Sequence, residues 1–194
     1  MTRAAKTFHI LAIFSLIFAA HQSSAEDSLE FNSEKFKYVW TGTTEKARVI
    51  EFIPDDETLE TWTRIVTYQC HPTARSLKEV VGPYYKARES IVALRPEVFE
   101  NKKGYREDST LHLILGAPGQ TEDIEFVLAR FMRDSRKGVY AVIYVHRFPI
   151  SEKVDVSVAM RNKDAWIAEL SEFNIQAIEE SCRSHEISDS DTIE

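Results

Sequence analysis

The chain lacks the short motifs that mark the common catalytic centres. There is no G-x-S-x-G, no P-loop and no G-x-G-x-x-G, so a nucleophile elbow or a phosphate-cradling loop has no local signature. His residues never recur as H-x-H or H-E-x-x-H, the spacings that put two metal ligands on one face, and no D-x-D-x-D-G calcium loop is present. Basic residues are also in deficit, with 24 Lys and Arg against 31 Asp and Glu and a formal charge of −7. That balance excludes nucleic acid and anionic lipid as natural partners, since both require clustered cations. No internal repeat and no membrane-length apolar run follow the N-terminal segment.

What is present begins with that segment. Arg3 and Lys6 precede an apolar run from Phe8 to Ala20, shorter than the roughly 20 residues a bilayer-spanning helix needs. Ser23 and Ala25 fit the −3 and −1 positions of a signal-peptidase site, so residues 1–25 read as a secretory signal cleaved before Glu26. No Cys follows the run to carry a lipid. The expected mature chain of 169 residues carries a charge of −9, suits one domain, and lies in the periplasm or outside the cell without stable membrane insertion. Only two cysteines occur, Cys70 and Cys182, and an oxidising compartment allows one bridge between them, with two separately buried thiols as the alternative.

Along the mature chain, 26–35 is polar and acidic and reads as a flexible start, 36–182 as one α+β domain, and 183–194 as an acidic disordered tail. FKYVWTG and KARVIEFIP are β-rich runs joined near Thr43 to Glu45, and in the second Val49 and Glu51 alternate with Ile50 and Phe52. A further strand runs from Trp62 to Cys70. Thr73 is placed to cap a helix over TARSLKEVV, with PYYKARESIVAL as a second helix or kinked continuation burying Tyr84, Ala87 and Ile91. Residues 95–108 read as a loop. STLHLILG, IEFVLARFMR and GVYAVIYVHRFP follow as a meander, and a final helix is expected from an Asn162 cap, with Trp166, Leu170, Phe173 and Ala177 on one face. The order ββ-β-α-βββ-α predicts a largely antiparallel sheet with helices packed on it.

Candidate chemistry is sparse. Cys70 and His71 adjoin, but neighbours on a strand point to opposite faces and cannot act as nucleophile and base. His112 and His146 lie on separate strands and could form a metal or hydrolytic site with carboxylates only if the fold brings them together. Tyr140, Tyr144, His146 and Phe148 alternate onto one strand face, as a ligand platform or as packing beneath a helix. Arg130 and Arg133 fall on opposite faces, which disfavours a paired anion clamp. The acidic cluster Asp55, Asp56, Glu57 and Glu60 reads as a solvated turn.

The segment Glu51-Phe52-Ile53-Pro54, Glu57, Trp62-Thr63, Val66-Thr67 and Gln69 resembles a pattern in small uncharacterised secreted proteins of proteobacteria. The element order is similar to the PsbP and Mog1 type of sandwich, whose members are mostly accessory or binding proteins. That resemblance implies a non-catalytic role and supplies no site residues. The expected function is therefore an exported accessory protein of the envelope, without cofactor, that binds a protein or small-molecule ligand. The alternatives are an envelope enzyme using His112 and His146, or a secreted factor engaging a host or neighbouring cell.

Overall fold

A computed structural model describes residues 28–88, 97–99, 109–116, 123–134, 136–149 and 156–184. The elements are β1 (Ser28–Phe31), β2 (Glu34–Thr43), β3 (Arg48–Pro54), β4 (Arg64–His71), α1 (Leu77–Arg88), β5 (Glu97–Phe99), β6 (Ser109–Gly116), β7 (Asp123–Asp134), β8 (Gly138–Pro149), α2 (Val156–Glu172) and α3 (Ile175–Ser184). All eight strands form one antiparallel sheet in the order β1-β2-β3-β4-β8-β7-β6-β5. The α+β architecture expected from the sequence is the one observed.

The sheet is apolar on both sides, and each side has its own helices. Even-numbered positions of β4, β7 and β8, among them Val66, Tyr68, Phe126, Leu128, Val142 and Tyr144, pack with Trp166, Leu170 and Ile178 of α2 and α3. Odd-numbered positions, among them Ile65, Val127, Phe131, Val139 and Ile143, pack with Ala74 and with Val80 and Tyr84 of α1. The period of two therefore sorts residues between two buried layers rather than between core and water.

Four elements differ from the sequence expectation. The start expected to be flexible over 26–35 instead contributes β1 and the beginning of β2. Asn32 and Ser33 adopt φ of 55° and 58°, the two positive angles of a type I′ hairpin turn, and Phe31 beside them is fully buried. Helix α1 is capped by Ser76 rather than Thr73. The Ser76 hydroxyl donates to Glu79 Oε1 (2.9 Å) while Glu79 Oε2 accepts from the Arg75 amide (3.1 Å), a variant of the capping box. The helix then continues through Pro83, and Ala87 lies exposed instead of in the stripe. The span expected to be a loop contains β5.

The final helix begins six residues before Asn162, at Val156, and breaks at Phe173 and Asn174. Asn174 Oδ1 accepts from the Gln176 amide (2.9 Å) and caps α3. The carbonyls left open at the end of α2 are met by Arg130, only 3% exposed, whose guanidinium donates to Leu170 O (3.0 Å) and Phe173 O (2.8 Å). A cation at a helix C-terminus also opposes the helix dipole favourably. The break turns Phe173 onto the sheet, 6.0 Å from the rings of both Phe31 and Tyr68.

Candidate functional site

The acidic turn is not solvated throughout: Glu57 is 9% exposed and holds its loop shut. Its carboxylate accepts from the Thr63 amide (2.6 Å) and hydroxyl (2.6 Å), and from Arg64 Nη2 (2.8 Å). Arg64 Nη1 donates to Glu34 as well, at 2.6 and 2.8 Å. Burial pushes the Glu57 carboxyl up, but the hydrogen bonds from Thr63 and Arg64 outweigh it and hold the group below the usual range. Trp62 completes the clasp, with the Arg147 guanidinium 3.6 Å above its ring centre. The spaced E, W and T of this segment thus have a structural purpose, fixing the β3–β4 connection.

The aromatic row on β8 lies mostly beneath α2 and α3 and is not an open platform. Tyr140 and Tyr144 are 5% and 2% exposed, and Trp166 packs 5.2 Å from Tyr144 and 5.6 Å from His146. His146 and Phe148, half-buried, stack at 4.1 Å. Desolvation, helped by the nearby Arg64 charge, pulls His146 down to about 4, so its ring is neutral near pH 7. Its Nδ1 and the Trp166 Nε1 are buried without a hydrogen-bond partner among the described residues.

Strand register separates the two histidines considered for catalysis. His112 pairs with Ala129, which pairs with Ile143, whereas His146 pairs with Phe126. Paired residues share a face, and His146 is an odd number of positions from Ile143, so the two register positions belong to opposite sides of the sheet. Among the described residues, no group of three or more His, Cys, Asp and Glu is arranged to hold a metal ion.

Cys70 and Cys182 come together at disulfide distance, with Cα atoms 6.5 Å apart, and link β4 to α3. Arg48 donates to the Cys182 carbonyl beside them. A cleft of about 340 Å³ opens at this end, with Lys137 and Glu179 paired at 2.8 Å on its wall.

The larger cleft, about 570 Å³, lies between α1 and β4 on the opposite side of the sheet. Ala74, Val80 and Pro83 supply apolar lining, Gln69, His71 and Tyr84 supply polar groups, and Lys46 and Glu79 bring one charge of each sign. Gln69 Oε1 lies 3.4 Å from His71 Nε2. Desolvation lowers the His71 pKa, leaving a neutral ring that can both donate and accept. Tyr84 is 7% exposed, its hydroxyl has no hydrogen-bond partner among the described residues, and burial raises its pKa to about 12. A concave cleft where apolar walls meet converging polar groups has the composition of a small-molecule site.

Sequence reasoning missed Gln69 and Tyr84 as site residues, and it weighed His71 only as a partner of Cys70 and as one of several histidines without metal-ligand spacing. The available signal was the even spacing of Gln69 and His71, which puts them on one strand face below the following helix. Among the described residues, no helix is long and apolar enough to cross a membrane. A family model matches residues 23–175. No curated protein and no solved structure matches the chain.

Proposed function

The chain belongs to that uncharacterised family, and from its own residues we propose that it works by binding, as an exported accessory domain of the cell envelope whose ligand enters the α1–β4 cleft. The observation that carries the reading is this 570 Å³ cleft, where Gln69, His71 and Tyr84 join an apolar lining. Lys46 and Glu79 on its wall carry opposite charges, and Glu79 is already engaged by Ser76 and the Arg75 amide, so the cleft suits a polar organic molecule without net charge. His71 is neutral at pH 7 and Tyr84 keeps its proton, so both act as hydrogen-bond partners rather than as charges. Export is supported by the signal-like residues 1–25 and by the paired cysteines, which an oxidising compartment would keep joined.

The test is a fragment screen followed by amide chemical-shift mapping on the mature protein. Shifts clustered on β4 and α1, weakened at least tenfold by His71→Ala or Tyr84→Phe, are expected. Hits that map elsewhere, or that both variants bind as tightly as the parent, would overturn the assignment. Intact mass of protein from periplasm and medium checks the export half separately. A chain starting at Glu26 is expected, and retention of residues 1–25 would contradict it.

A further inference from the structure

A second feature on the α1 side of the sheet lies outside that cleft and does not depend on its holding a ligand. Tyr38 pairs with Phe52, but the next cross-strand pair is Trp40 with Glu51, so β2 carries one extra residue at Val39. Without that bulge Trp40 would share the face of Tyr38, under α2 and α3. With it, Trp40 is re-aimed to the other face and stands 38% exposed, one of three large apolar side chains so exposed among the described residues. Gly42 makes room for it, because a Cβ there would collide with atoms of the Trp40 indole. A small residue and a backbone irregularity thus seat a tryptophan on the surface that regular pairing would have buried.

Its cross-strand partner is equally unusual. Glu51 is partly buried, and among the described residues its carboxylate makes no hydrogen bond or ion pair. Its other neighbour across the sheet is Thr67, 8% exposed. Desolvation raises its pKa, the sign of a carboxylate without a cation to offset it. Residues paired in this way have Cβ atoms about 5 Å apart, and with the indole lying along its strand toward Gly42, a group spanning a few ångströms along the sheet can meet both. An electron-rich ring beside a carboxylate that no cation among the described residues offsets is complementary to a positively charged organic group, and poorly suited to anions or purely apolar ligands.

We propose that Trp40 and Glu51 form a docking point for an organic cation, an ammonium or guanidinium group, with the indole meeting its apolar skirt and the carboxylate its charge. The occupant is a Lys or Arg side chain of a partner protein, because Trp40 stands exposed and neither residue lines either described cleft, whereas a free small molecule needs a concave site.

Two probes separate this occupant from a free organic amine: tetramethylammonium chloride, and the blocked peptide acetyl-Gly-Lys-Gly-amide. The norleucine peptide and sodium chloride serve as controls. The readout is the Trp40 indole N–H signal of the mature protein, assigned by its loss in Trp40→Phe. Saturable movement with a cationic probe and none with the controls is expected. Glu51→Gln should weaken it about tenfold. Gly42→Ala, which crowds the indole from its seat but leaves both binding groups in the chain, should weaken it as well. Preference for the peptide is expected of a partner's side chain, and saturation by both probes at similar concentration would overturn that occupant in favour of a free organic amine. No saturable movement, or equal affinity in a folded Glu51→Gln variant, would overturn the proposal. Cleft variants such as His71→Ala should leave it unchanged, so failure here and failure of the cleft reading are told apart.

Discussion

Glu57 grips Thr63 twice, accepting from its amide and from its hydroxyl, each at 2.6 Å. This double bond across six residues closes the β3–β4 connection around a carboxylate that is almost wholly buried. Glu57→Ala should therefore lower stability by about 2 to 3 kcal/mol, the usual effect of removing a charged acceptor from buried donors. Thr63→Val should lower it less, and the pair should be non-additive. Urea unfolding of both single variants and the double variant measures the coupling.

Arg130→Met keeps the side chain's length but withdraws the donors at the end of α2. With the Phe173 carbonyl unmet and Leu170 O left only the Phe173 amide, a loss of about 2 kcal/mol is expected. Hydrogen exchange should rise first in the last turn of α2 and in α3, while β4 and β8 stay protected.

Joining Cys70 to Cys182 closes a sequence separation of 112 residues. In the chain-entropy account this stabilises the fold by about 4 to 5 kcal/mol at most. The double Ser variant should unfold at lower denaturant concentration by up to that amount. The parent should give a mass two hydrogens below the dithiol and resist alkylation until it is reduced.

The pH dependence of stability should carry the mark of His146. Its folded pKa, about 4, lies below the ordinary 6.5, so the unfolded chain takes up a proton that the folded one refuses. Stability is thus lost as pH falls from about 6.5 to about 4, with no further loss from this group below that. His71, shifted the same way, adds to the fall. His146→Phe should flatten the acid limb of a stability–pH curve, and an unchanged limb would contradict the assignment.

Much of this fold was legible because the strands announce themselves. GVYAVIYVHRFP is β8 from first residue to last, and the alternation of Val49 and Glu51 with Ile50 and Phe52 separates the two sheet faces as observed. β1 was hidden because its turn is made by Asn32 and Ser33 rather than a glycine pair, in a segment whose polarity resembles a loose end. The helix break at Phe173 escaped because the apolar spacing continues across it. What ends α2 there is supplied by Arg130, from a distant strand. The candidate sites were harder still. The aromatic row of β8 was visible, but what covers it was not, and Trp40 changes face only because of a bulge that no single strand's pattern reveals.

The strand order has a further consequence. Every neighbouring pair in the sheet is consecutive in the chain except β4 and β8, so the molecule is two ribbons of hairpins sewn together along one seam. Each ribbon can form from local contacts, in either order, whereas the seam demands closure of the long intervening chain and so should be the slow step of assembly. Cys70 sits on that seam, directly across from Tyr140. A thiol pair captured early would hold β4 near α3, which follows β8 in the chain, and so shorten the search across the seam, so oxidising conditions should speed folding as well as stabilise the product.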